Sequence, residues 1–168
     1  MGFFDRFKTL AAAKDAFKTE GEMGLGENAK TNDSGICYFG YDYDGPTSES
    51  SYGYEISAIQ GGNAHIRYTD AKTAGDEPEE ADIDGFIFKK IESIYKKHRA
   101  ARWEGYSMEM TEDENLSSFF MNIAFNDGRS MSVSGKGIVP EGFRAFRSDI
   151  RRIVRPVIDE MRGVEKSE

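Results

Sequence analysis

Phe119, Met121, Ile123 and Phe125 occupy every second position of one short segment, and Asn126-Asp127-Gly128 follows at once. Period two belongs to a strand buried on one side, and glycine supplies the positive φ that tight hairpin turns require. The chain must then return through Ser130–Ser134, with Met131 and Val133 turned inward. A hairpin with one greasy face needs a covering layer. Two segments with helical periodicity are available to supply it.

In the first, residues 85–103, Ile87, Ile91, Ile94 and His98 recur at steps of four and three, with Phe88 and Tyr95 widening the stripe. Asp82 and Asp84 precede it, where carboxylates satisfy free N–H groups and complement the dipole. Trp103-Glu104-Gly105-Tyr106 closes it. In the second, Phe143, Phe146, Ile150, Ile153, Val154, Val157 and Met161 define the buried face of a helix over 140–162. Pro140 suits its first position, since the missing N–H is not needed there. Pro156 lies inside it, where it should cost a hydrogen bond and add a bend.

Three more strands precede the first helix. Ile36 to Tyr43 is aromatic-rich and ends at Asp44-Gly45-Pro46, and Tyr52 to Ile59 follows. Gly61-Gly62 turns the chain into Ala64–Tyr68, and an acidic loop is expected from Asp70 to Asp84. The order predicts an α+β fold: an antiparallel sheet of about five strands, as strand, hairpin–helix, hairpin–helix, with two long helices on one face. The hairpin–helix unit occurs twice, with Gly62 and Gly128 at equivalent turns, but the side chains of the two units match poorly.

This length suits a single domain, assigned to residues 36–162, with a tail at 163–168. Upstream, residues 1–18 read as a tethered amphipathic helix with Phe3, Phe4, Phe7, Leu10 and Phe17 on one side and Lys14 interrupting the stripe. Residues 19–35, with Gly21, Gly24 and Gly26 among small polar side chains, read as a flexible linker.

Residues Trp103, Gly105, Tyr106, Asp127, Gly128, Ser134, Gly135, Pro140 and Phe143 stand in a distinctive order. From about Ile83 to Glu160 the chain resembles a group of small bacterial proteins that share this pattern: Trp-x-Gly-aromatic, strand, Asp-Gly turn, strand, Ser-Gly, then Pro-x-x-Phe opening a helix. The resemblance covers about half the chain and carries no assigned activity, so it implies no functional residue.

Motifs of known chemistry fail on spacing. Ser134-Gly135-Lys136-Gly137 ends like a phosphate-binding loop, but Ser130 and Gly137 stand where that loop needs Gly and Ser or Thr. Gly128-Arg129-Ser130-Met131-Ser132 lacks the final Gly of a nucleophile elbow. His65 and His98 are the only histidines and form no ligand pair, so no metal is expected; His98 reads as a packed helix-end residue. Asp42-Tyr43-Asp44-Gly45 lacks the later oxygen ligands of a calcium loop. Cys37, the single cysteine, sits in an apolar strand and reads as a small buried hydrophobe. Neither a catalytic set nor a cofactor is expected.

Charge is distributed unevenly. The chain carries a formal net charge of -8, yet both long helices are basic: residues 85–103 are net +5 and residues 143–162 net +3. Residues 70–84 are net -6 and residues 104–114 net -5. On the last helix, Arg144, Arg147, Arg151, Arg155 and Arg162 fall within an arc of roughly 80° that borders the apolar face. The stripe either pairs with the acidic loops of the same chain or is simply solvated, or else it offers guanidinium forks to an anionic partner; the first reading, paired or solvated, is favoured. The acidic balance disfavours nucleic acid, which rewards clustered cations.

The chain is expected to be cytoplasmic. The longest apolar run near its start, Leu10–Ala13, is too short for a secretory signal, and no stretch approaches the roughly 20 apolar residues of a span. The N-terminal helix is expected to dock on protein, its own or another; membrane attachment by so short and interrupted a face would be weak. The expected function is a non-catalytic protein-interaction module. The alternatives are binding of an anionic ligand or nucleic acid through the arginine stripe, and an enzyme with an unfamiliar site.

Overall fold

The computed structural model describes residues 35–71, 77–110 and 116–163. The expected N-terminal helix with Phe3, Phe4, Phe7, Leu10 and Phe17, most of the linker, and most of the tail lie outside the described residues. Seven strands and two α-helices follow in order: β1 (Ile36–Asp44), β2 (Tyr52–Ala58), β3 (Asn63–Asp70), β4 (Glu79–Asp84), α1 (Ile87–Lys97), β5 (Ser107–Glu109), β6 (Ser118–Phe125), β7 (Ser130–Lys136) and α2 (Phe143–Met161).

The strands form one sheet in the order β4-β3-β2-β1-β6-β7-β5. This corrects the expected antiparallel sheet of about five strands: the described residues form seven, and the sheet is mixed, because β5 runs parallel to β7. Both additional strands lie at edges, and both fall in segments read as acidic loops. In β4, Ala81 and Ile83 face the core while Glu80 and Asp82 point to the open side. Acidic residues are poor strand formers, but here they lie opposite Arg67 and His65 of β3, respectively. Arg67 Nε donates to Glu80 at 2.6 Å, and His65 Nδ1 lies 2.7 Å from Asp82. Cross-strand charge pairing of this kind is what makes such an edge workable.

On the helix side, cross-strand rows run through the pairs Ile66–Ile56–Phe39–Ile123–Met131 and Tyr68–Tyr54–Tyr41–Met121–Val133. A third row, Asp70–Tyr52–Tyr43–Phe119–Gly135, lies nearest one end of the sheet. Most of these side chains are buried, and both helices close over them.

Each helix is shorter than its periodic stretch. α1 ends at Lys97 because Arg99 adopts a left-handed conformation, φ 51°, and residues Ala100–Trp103 continue as a separate 3-10 turn. Asp84 Oδ1 accepts the Phe86 N–H at 2.8 Å, whereas Asp82 is engaged by His65. α2 starts at Phe143 and not at Pro140, since Gly142 precedes it with φ 81° and a helix cannot continue back through that conformation. Pro156 lies within α2 on its exposed side, where water can satisfy the carbonyl left without its N–H partner.

Trp103 fastens the α2 entry. Its indole N–H donates to the Glu141 carbonyl at 3.2 Å, and its ring meets Phe143 and Phe146 edge-on at 5.4 and 5.3 Å. Gly105, at φ 73°, then allows the chain to lie against β7, donating to the Ser132 carbonyl at 3.2 Å. Trp103 and Gly105 thus join helices to sheet.

Candidate functional site

The arginine stripe of α2 divides in two. At its C-terminal end, Arg162 is neutralised within the fold: its Nε lies 2.7 Å from Glu79 of β4, and its Nη1 3.0 Å from Asp70 of β3. The same guanidinium lies over the Tyr68 ring, 5.0 Å from its centroid. Burial and the Asp70 charge push the Tyr68 hydroxyl up to about 12 against the opposing Arg162 charge. Arg155 lies 3.7 Å from Asp159 one turn along its own helix. Arg162 thus meets the acidic segment 70–84, as the pairing reading expects, whereas Arg155 meets only an acid of its own helix.

Toward the N-terminal end the arrangement differs. Arg147 lies over Tyr43 with its guanidinium carbon 5.0 Å from the ring centroid, and Arg151 lies over Tyr52 at 5.5 Å. Neither has a carboxylate within ion-pairing distance among the described residues. Arg144, one turn before, is exposed and also without such a partner, and it borders a shallow groove along residues 137–142. Arg147 and Arg151 are one helical turn apart, a rise of about 6 Å. Tyr43 and Tyr52 are directly paired on adjacent strands β1 and β2, whose spacing is about 4.8 Å. A helix crossing the strands thus sets successive arginines on successive tyrosines.

Beneath this pair the sheet is lined with phenols. The Tyr43 and Tyr52 ring centroids are 5.4 Å apart, Tyr41 and Tyr52 6.0 Å, and Tyr41 and Tyr54 5.7 Å. Tyr41 is 2% exposed, and its hydroxyl lies beside the Arg147 side chain and Tyr52. Burial raises its pKa, the neighbouring Tyr52 adds to the rise, and Arg147 opposes it. Tyr52 is raised by burial as well, against Arg147 and Arg151. At neutral pH these hydroxyls are therefore protonated and able to donate.

The other residues singled out in the sequence do not converge on a reaction. His98 caps α1 and bonds Asp149, while His65 lies on the open face of the sheet between Asp82 and Glu80. Cys37 Sγ approaches the Ala124 carbonyl at 3.5 Å, and burial raises its pKa. Asp44 accepts from Ser51 at 2.6 Å within its turn. Ser132, Ser134 and Lys136 are strand residues of β7. Among the described residues no group of three or more His, Cys, Asp or Glu side chains is placed to hold a metal ion. No described helix is long and apolar enough to cross a membrane.

The tyrosine layer was not legible as part of a site. Its sequence signal is the alternation of Tyr41 with Tyr43 and of Tyr52 with Tyr54, but the pairing of Tyr43 with Tyr52 depends on register. Comparisons of the chain with protein-family models, with curated proteins and with solved structures find no match.

Proposed function

We propose that the domain is a non-catalytic binding module, cytoplasmic, that holds an anionic partner against Arg147 and Arg151. One observation carries this reading: in a chain of net charge -8, two adjacent guanidiniums rest on tyrosine rings with no carboxylate partner among the described residues. Arg67, Lys97, Arg129 and Arg162, by contrast, each find an acid. A ring beneath a guanidinium orients the fork and contributes roughly 0.5–1 kcal/mol at an exposed site, which lowers the cost of ordering it on binding. A guanidinium fork so placed matches the geometry of an oxyanion.

The partner proposed is a protein, in keeping with an acidic chain that gains little from polyphosphate backbones. Docking of the amphipathic segment around Phe3, Phe4, Phe7, Leu10 and Phe17 belongs to the same proposal. The test is chromatography of the full chain on a heparin column. Retention at low salt that is released by salt, and is lost when Arg147→Ala and Arg151→Ala are combined, is expected. Flow-through of the parent protein at low salt would remove the reading.

A further inference from the structure

We infer that the site over Tyr43 and Tyr52 takes a phosphate monoester, held by Arg147 and Arg151 from the helix and by phenol hydroxyls from the sheet; this rests on the anion-binding reading above. The donor inventory points to that class. Two guanidiniums offer five N–H groups each, and the phenols add further donors. No ionised acceptor among the described residues engages either fork. A carboxylate has one charge and two oxygens, and a single fork satisfies it. Two unneutralised forks call for a ligand with more charge and more oxygens. A phosphate monoester brings about -1.5 to -2 charges and three terminal oxygens.

Tyr41 ties the sheet to the same cluster. It is buried between Tyr52, Tyr54 and Phe143, and its hydroxyl lies beside Arg147 and Tyr52.

The test uses the full chain labelled with nitrogen-15, following the Arg Nε–H signals during titration at constant ionic strength. The probes are inorganic phosphate, O-phosphoserine, a short phosphoserine peptide, and acetate. Saturable shifts of Arg147 and Arg151 with the phosphate probes are expected, with acetate at least about tenfold weaker. Arg151→Ala should abolish saturation. Tyr41→Phe should weaken phosphate binding severalfold, because the hydroxyl it removes lies beside Arg147 and helps to place that side chain. Tighter binding of the peptide than of O-phosphoserine would assign the phosphate to a protein partner; the reverse order would assign it to a small metabolite. Equal affinity for acetate and phosphate, or no saturable shift, would overturn the inference. If salt-sensitive heparin retention persisted in that case, the broader anion-binding reading would stand without it.

Discussion

The Asp149 carboxylate of α2 accepts a hydrogen bond from His98 Nε2 at 2.9 Å, joining the C-terminal end of α1 to the second turn of α2. The same oxygen receives Lys97 Nζ at 2.7 Å, and the other oxygen receives Arg152 at 3.2 Å. The His98 ring stands edge-on to Phe146, 5.9 Å between centroids, so the clasp sits against the core.

These donors, Lys97 first and His98 next, hold the Asp149 carboxyl at about 2. An unfolded aspartate titrates near about 3.9. The folded value lies below the unfolded one, so the stabilisation is complete above the unfolded value and fades as pH falls through the folded one. Asp149→Asn should therefore be less stable than the parent at pH 6, and the gap should close between about pH 4 and 2. Urea midpoints measured across that range decide it. A gap independent of pH would mean that Asp149 does not link protonation to folding.

Arg162 joins the end of α2 to the sheet edge through Glu79 and Asp70. Its side chain is 21% exposed and that of Glu79 32%, so solvent screens the contact only in part. Arg162→Ala and Glu79→Ala should each destabilise the domain, while the double variant loses less than the sum. The coupling expected for such a direct pair is roughly 0.5–3 kcal/mol. Strictly additive losses would show that the pair is not energetically joined.

How far the sequence led depends on which residues are considered. The β6–β7 hairpin was legible because the alternation of Phe119, Met121, Ile123 and Phe125 and the turn at Gly128 give the same register. β4 was not, because Glu79, Glu80, Asp82 and Asp84 look like solvated loop residues until Arg67 and His65 are placed beside them. β5 is three residues long with exposed side chains and leaves no hydrophobic pattern to read. The five arginines looked equivalent on a helical projection. Only the fold separates Arg162, which meets acids more than 80 residues away in sequence, from Arg147 and Arg151, which meet tyrosines.

Arg99 offers a test of local strain. It is the one described non-glycine residue with positive φ, 51°, and its side chain is exposed. The left-handed conformation costs an L-residue with a side chain roughly 1–2 kcal/mol, and glycine is the usual occupant after a helix. Arg99→Gly removes that strain but gives the unfolded chain more freedom, which offsets part of the gain. A net stabilisation of up to about 1 kcal/mol is expected in thermal unfolding. A lower melting temperature would mean that the arginine side chain contributes contacts outweighing the backbone strain.

Phe146 is where helices and sheet meet. It is 1% exposed and touches Phe39 of β1, Trp103 of the 3-10 turn, Phe143 of its own helix and His98 at the end of α1. Truncation to alanine removes a ring from the centre of four packed groups, and rigid neighbours drawn from separate elements cannot collapse together to fill the space. Phe146→Ala should cost about 3–5 kcal/mol, a large part of the roughly 5–15 kcal/mol typical of a domain. Phe146→Leu, which keeps more of the volume, should lose clearly less. Because the ring also supports His98, the alanine variant should weaken the Asp149 clasp. Combining Phe146→Ala with Asp149→Asn should then lose less stability than the two separate losses added together. Full additivity would show that the clasp forms without the aromatic support beneath it.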